Sequence, residues 1–461
     1  MTRTIFAALL LANACVPAWA EQTPAEPRAK NVILFIGDGM GISTITAARI
    51  YEAQKRGETG EENRLSFETF PNVALVKTYN TNAQVPDSAG TATAIHSGRK
   101  TRIGVLGIGP EAVKGVCKDA LAHPLPLLGE EVKARGLALG IVTTTRITHA
   151  TPASVYARSA DRDWESDTNI PADQQGQGCK DIALQLSEAR FDVALGGGSA
   201  MFYGKKAGGR RGDAAADLAA AWAAKNGGVV VKTAAELAAA PMDKPVLGLF
   251  NPSHMGFMAE RRPDSPEPTL TDMTAQAIAR LSADPDGFYL MVEGGRIDHA
   301  HHAGQAGYAL EETVEFARAV QWAIDHTDPA ETLILVTADH SHVFTIAGYP
   351  RRGNDILGLV VAPEGSGEDG GDGITPVLAA DGKPYTTLGY ANGPGAVSGE
   401  RPVPQTGLAA RQQSLVPTGI ETHGGEDVAL FATGPGAERA HGVIEQNLVY
   451  SIIRKALGWE D

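Results

Sequence analysis

Four apolar runs, at residues 31–36, 137–143, 288–292 and 332–336, constrain this chain most. Nearly every position in them is apolar, with no in-out alternation. Each therefore reads as a strand buried on both faces. Helical patterns separate them, at about 43–55, 270–281 and along a stretch ending near 324. Buried strands joined through helices build a large, mostly parallel sheet with helices on both faces, an α/β fold. Shorter runs at 73–79, 191–195, 246–250 and 428–432 add strands, and a last helix is expected over 444–457. Sheets of this kind hold ligands beyond the carboxyl ends of their strands.

The residues at those ends are unusual. The first run delivers Gly37-Asp38-Gly39, and the second leads through Arg146 to His149, Thr151 and Pro152. The third ends in Glu293 and continues to Asp298, His299, His301 and His302; the fourth delivers Asp339-His340. Asp298 and His302 are four apart, so one helical turn puts both on one face. Histidine with aspartate suits Zn²⁺. Asp38, Thr151 and Glu293 offer only oxygen, which suits Mg²⁺. A lone histidine would read as an ordinary packed or surface residue. Several beside acids do not, although spacing leaves open which of His299, His301 and His302 are bystanders. His423 precedes a strand rather than following one.

Asp87-Ser88-Ala89-Gly90-Thr91-Ala92 opens another helix, with Asp87 as its cap. The unpaired N–H groups and positive dipole end of a helix start suit a phosphate oxygen or a serine alkoxide. Arg162, between Asp161 and Asp163, reads either as a surface ion pair or as a bidentate phosphate grip.

The 461 residues suffice for one large domain with a sizeable core. Arg3, an apolar stretch over 5–14 and Ala18-Trp19-Ala20 make a signal peptide cleaved after Ala20. The expected location is periplasmic or secreted; Cys15 leaves a lipoprotein leader as the other reading. The apolar run is too short to span a bilayer, and no later segment does. Cleavage removes Arg3 and no acid, so the net charge of −14 becomes −15. That balance argues against nucleic-acid or anionic-membrane binding. Bound cations would supply the local positive charge that an anionic substrate needs. Cys117 and Cys179 remain in the mature chain and most simply pair outside the cytoplasm. Over about 343–422 glycine and proline are dense and periodicity fades, which reads as an insertion on the single domain over 21–461.

Taken together, Gly37-Asp38-Gly39, Asp87 to Ala92, Thr148-His149-Ala150-Thr151-Pro152-Ala153, Val292 to His299, Thr337 to His342 and His423-Gly424-Gly425-Glu426-Asp427 resemble the alkaline phosphatase signature. The match spans the mature chain and is closer to the animal-type branch than to the enteric-bacterial one. Gly348-Tyr349-Pro350 and Arg411-Gln412-Gln413-Ser414 resemble that branch's crown region.

The resemblance implies an exported phosphomonoesterase with two Zn²⁺ and one Mg²⁺. It makes Ser88 the phosphorylated nucleophile and Arg162 the phosphate grip. Asp298, His302 and His423 would hold the first zinc; Asp38, Asp339 and His340 the second; Asp38, Thr151 and Glu293 the magnesium. His149 and His299 would lie just outside these ligands. It further implies a Cys117–Cys179 disulfide, with Cα atoms within roughly 4.4–6.8 Å, and a homodimer with the insertion near its interface. Small-molecule phosphate monoesters are the expected substrates.

The rival within the superfamily is a phosphodiesterase or another phosphoryl or sulfuryl hydrolase. Sulfatases need a different local motif, and diesterases favour threonine as nucleophile. A non-catalytic metal- or phosphate-binding protein would not need Ser88 and Arg162 beside the ligand set. Animal-type members carry a further calcium site, but Asn251 stands where that branch has glutamate, and the loop 203–212 is short and basic. No calcium is assigned.

Overall fold

The computed structural model describes residues 28–366 and 371–459. The leader and its cleavage site lie outside the described residues. Strands β1 to β8 are Asn31–Gly37, Asn72–Lys77, Ala138–Arg146, Val193–Gly197, Val229–Val231, Val246–Leu249, Phe288–Glu293 and Thr332–Ala338. Strands β9 to β15 are Ser341–His342, Phe344–Ile346, Leu388–Gly393, Ser414–Pro417, His423–Gly424, Val428–Thr433 and Gly442–Glu445.

Ten of these form one sheet in the order β15-β2-β14-β8-β1-β7-β3-β4-β6-β5. Only β14 runs antiparallel, against β2 and β8. Alternate side chains of the central strands leave toward opposite helix layers. Phe35 meets Phe316 of the helix Ala306–Asp325 edge-on at 5.8 Å. Its neighbouring strand sends Tyr289 the other way, where the hydroxyl bonds His96 of the helix Ser88–Ser97 at 2.9 Å. Burial on both faces is why these strands are apolar throughout.

The register places the functional loops at one height. Ile36 pairs with Glu293, Gly37 with Ala338, and Thr143 with Glu293. The residues next in line, Asp38 and Asp339, therefore leave adjacent strands together with Glu293.

The helix expected over 444–457 starts later, at Leu448, because Gly442–Glu445 pairs with β2 as an edge strand. The helical stretch after Glu293 is also interrupted. Arg296–His302 and Ala306–Asp325 are separate helices, with Gly304 at φ +69° between them. His423 reaches the rim by its own pairing: β13 runs antiparallel to β9, with His423 opposite His342. Residues 344–417 contain a separate three-stranded sheet, β10-β11-β12. Cys117 and Cys179 form a disulfide with Cα atoms 5.7 Å apart. No helix among the described residues is long and apolar enough to cross a membrane.

Candidate active site

The helix Ser88–Ser97 starts at the floor of the site, and Asp87 caps it. The Asp87 carboxylate takes four donors. Oδ1 accepts from Gly90 N at 3.1 Å and Asn80 Nδ2 at 3.0 Å. Oδ2 accepts from Gly104 N at 3.0 Å and Arg162 Nη1 at 3.1 Å. Burial alone would raise the Asp87 pKa, but Arg162 and the two backbone donors outweigh it and hold the carboxyl low. Gly90 is needed for this fit, because a Cβ there would lie 2.5 Å from Asn80. Ser88 is buried, with Oγ 3.2 Å from His340 Nε2.

Around Ser88 the histidines are held by one device. His302 Nδ1 donates to Glu421 O at 2.6 Å, His423 Nδ1 to Pro86 O at 2.8 Å and His340 Nδ1 to Ser341 O at 3.2 Å. A carbonyl only accepts, so each neutral ring keeps its hydrogen on Nδ1 and presents a bare Nε2. Those Nε2 atoms converge on carboxylates. His302 and His423 approach Asp298 Oδ1 to 3.3 and 3.4 Å, and each other to 3.2 Å. His340 lies 3.4 Å from both Asp38 Oδ1 and Asp339 Oδ2. Facing lone pairs at this distance repel unless a cation sits among them. The ligand atoms of Asp38, Asp339 and His340 all lie within 4.8 Å of one another. Burial pushes His302 down and, with the nearby His423, pushes His340 down, which keeps both rings in the ligating neutral form.

The oxygen cluster fits a cation as well. Asp38 Oδ1 and Oδ2, Glu293 Oε1 and Thr151 Oγ1 are buried and take no hydrogen bond. Thr143 and Thr145 hydroxyls hold the other Glu293 oxygen, Oε2, which turns Oε1 toward Asp38. Burial raises Asp38 well above the usual carboxylate range, and the charges of Asp339, Asp298 and Glu293 add to it. Burial likewise pushes Glu293 up to about 7. Crowded anions without donors are what a bound cation relieves.

A profile of the alkaline phosphatase family matches residues 29–459. The chain belongs to the alkaline phosphatase family. The tissue-nonspecific isozyme of Gallus gallus is 46% identical over 446 residues, which cover 91% of this chain and 83% of that protein. The human tissue-nonspecific isozyme is 44% identical over 454 residues, covering 93% and 83%. Alkaline phosphatase from Thermus thermophilus has a TM-score of 0.68 at 25% identity, covering 97% of this chain and 96% of that one. The enzyme from the Antarctic bacterium TAB5 shares the fold, with a TM-score of 0.65 at 24% identity over 95% and 100% of the two chains. Membership makes this chain an alkaline phosphatase in activity, a phosphomonoesterase.

Against that family frame, the structure separates the three neighbouring histidines. His302 alone of the three faces Asp298 and His423. His301 is spent on packing, with Nε2 2.9 Å from Thr44 Oγ1 and Nδ1 2.8 Å from Tyr390 OH. His299 bonds Arg296 Nη1 at 2.9 Å and lies ring to ring with His149 at 5.6 Å. A ring nitrogen of His149 falls within 4.8 Å of ligand atoms of Asp38 and Glu293. The backbone turn at Arg146–His149 carries it inward.

Three site residues went unseen in the sequence. His342 bridges Asp298 Oδ1 at 2.9 Å and the Glu421 carboxylate at 2.5 Å. Burial would lower its pKa, but these two acceptors push it up to about 9. The position of His342, two after His340, was the available signal for it, and Glu421 stands two before His423. His254 packs on His299 at 4.2 Å and bonds Arg146; no local motif marks it. Asn251, the position that departs from the animal-type pattern, donates through Nδ2 to Glu267 at 2.6 Å; Gly256 N also donates to that carboxylate at 2.9 Å.

Proposed function

We propose that this phosphomonoesterase works through a phosphoserine on Ser88, with two zinc ions and one magnesium ion. The observation that carries the reading is the placement of Ser88 Oγ, 3.2 Å from His340 Nε2 in the first turn of a helix. Arg162 is anchored beside it through the same Asp87 that caps that helix.

Asp298, His302 and His423 would hold the first zinc, Asp38, Asp339 and His340 the second, and Asp38, Thr151 and Glu293 the magnesium. When bound, these ions supply positive charge that favours the Ser88 alkoxide, the crowded phosphoryl oxygens and the departing alcohol oxygen. Ser88 Oγ attacks phosphorus in line; its bond to phosphorus forms as the ester oxygen's bond breaks, and the alcohol departs. Arg162 donates to the phosphoryl oxygens through the face that Asp87 leaves free. Helix N–H groups at Ser88 and Ala89 add positive potential where charge grows. Water then attacks the phosphoserine from the opposite side and releases phosphate. Two in-line displacements retain configuration at phosphorus.

Acid quenching during turnover of a ³²P-labelled monoester tests this. Label is expected on the peptide containing Ser88, and on none in Ser88→Ala. Turnover without any labelled protein, under conditions that trap a phosphoserine control, would overturn it. Comparing phosphate monoesters with diesters then fixes the substrate class.

Export and assembly belong to the same reading. A leader cleaved after Ala20 and the Cys117–Cys179 disulfide suit an oxidising compartment. A homodimer meeting through residues 343–422 would cover Tyr349, Leu415 and Ile420, which are 92%, 83% and 60% exposed. Light scattering of the mature protein should give twice the chain mass, and a monomer would remove the dimer.

A further inference from the structure

Residues 343–422 leave after His342 and return at His423, and the two ends are joined by the β9–β13 pairing. One side chain closes that neck. Glu421 is fully buried, and its Oε1 accepts from Val343 N at 2.8 Å. Its Oε2 accepts from His342 Nδ1 at 2.5 Å. The far side of the same ring, Nε2, reaches Asp298 Oδ1 at 2.9 Å. The Glu421 backbone is tied to the active site too. Its N–H donates to His302 O at 3.0 Å, and its carbonyl accepts from His302 Nδ1 at 2.6 Å.

This residue is thus joined to two of the three residues assigned to the first zinc. Through His342 it fixes where Asp298 Oδ1 points. Through its carbonyl it fixes the His302 tautomer and ring plane. His302, His342 and Glu421 also bring ligand atoms within 4.8 Å of one another. They satisfy each other by hydrogen bonds, so they form a support and not a further metal site. Partners of this kind orient ligands and raise their basicity. Without the carboxylate, two buried donors, Val343 N–H and His342 Nδ1–H, lose their acceptors.

We infer that Glu421 is a positioning residue for the first zinc site, one that locks closure of the 343–422 neck to the orientation of Asp298. The inference rests on the zinc assignment proposed above. It goes beyond that assignment by making the inserted segment's closure a determinant of metal affinity.

Glu421→Gln keeps the shape and removes the charge. The amide can accept from Val343 or His342 but not from both, since its NH₂ faces a donor. Glu421→Asp keeps the charge but is one methylene too short to reach both donors. A control breaks the neck elsewhere: Asn392→Ala loses the pair of bonds between Asn392 and Thr422, each 2.9 Å, without touching His342.

The test is titration of chelator-stripped full-length protein with Zn²⁺ against a competing indicator, and with Co²⁺ followed by its visible spectrum. Wild type should bind two ions tightly at nitrogen-containing sites. Glu421→Gln should weaken one of them by about 10–100-fold and alter that site's cobalt bands, leaving the other unchanged. Glu421→Asp should fall between, and Asn392→Ala should match wild type. Wild type failing to bind two such ions would sink the zinc assignment itself. Two normal affinities in Glu421→Gln, or an equal loss in Asn392→Ala, would leave that assignment standing and overturn the role of Glu421. Should Glu421→Gln not fold, judged by far-ultraviolet dichroism, Glu421→Asp carries the comparison alone, and wild-type affinity in it would overturn the inference.

Discussion

Arg162 Nη1 donates to Asp87 Oδ2 at 3.1 Å, and Asp87 immediately precedes Ser88. The arginine's side chain is 18% exposed, and its Nη2 reaches His149 Nε2 at 3.1 Å. The guanidinium is therefore aimed before any substrate arrives, by the same carboxylate that caps the helix of Ser88.

Arg162→Ala should weaken catalysis without abolishing it. One charge-assisted contact contributes roughly 2–3 kcal/mol at most, or about 30–150-fold in kcat/KM. The metal charges carry the remainder, so His302→Ala should lose far more. Steady-state kinetics on one monoester with both variants makes the comparison. Equal losses would show that Arg162 shares the essential work.

Chelation should abolish activity, and adding back Zn²⁺ with Mg²⁺ should restore it. The bare Nε2 atoms of His302 and His423, 3.2 Å apart, and the donor-free oxygens of Asp38 motivate this. Full activity in protein shown to be metal-free by elemental analysis would remove the metal chemistry.

His149→Asp should shift the third site toward magnesium. His149 has a ring nitrogen within 4.8 Å of ligand atoms of Asp38 and Glu293, and its buried Nδ1 takes no hydrogen bond. Imidazole favours zinc over magnesium, whereas a carboxylate adds a hard anionic group that orders magnesium's waters. Wild type should lose activity in excess Zn²⁺ at fixed Mg²⁺, while the variant resists. Superimposable inhibition curves would leave His149 without a part in metal choice.

Glu312 gives a pH signature far from the chemistry. It is buried in the helix Ala306–Asp325, where its Oε1 accepts from Met258 N at 2.6 Å. Burial pushes its pKa up to about 7, against the opposing pull of Met258 N–H and Arg296. The folded state thus holds this proton more tightly than the unfolded chain, whose carboxyl titrates at 4.5. Stability contributed here falls as pH rises from 4.5 to about 7 and is then flat, at a cost on the order of 3 kcal/mol. Glu312→Gln should therefore melt higher than wild type at pH 9 and alike at pH 4.5. A pH-independent difference between the melts would contradict the burial account.

The sequence alone determined the fold class, because both-face burial makes strands apolar from end to end and leaves runs that local reading detects. It also determined Asp38, Glu293 and Asp339, since a residue next to a parallel strand's carboxyl end lies at the rim in any sheet of this type. Ser88, Arg162 and His423 became legible only as members of an ordered set of motifs. Tertiary structure decided the rest. Periodicity could not say which of His299, His301 and His302 faces Asp298, because neighbours on a short helix differ only in what packs beside them. His254, His342 and Glu421 act across the sheet or across the neck of an insertion, and such contacts leave no trace in local spacing. His149 showed the same limit. Its position followed from sequence, but whether it stands among the oxygens or behind them depended on the turn after β3, which is set by packing against the strands beside it.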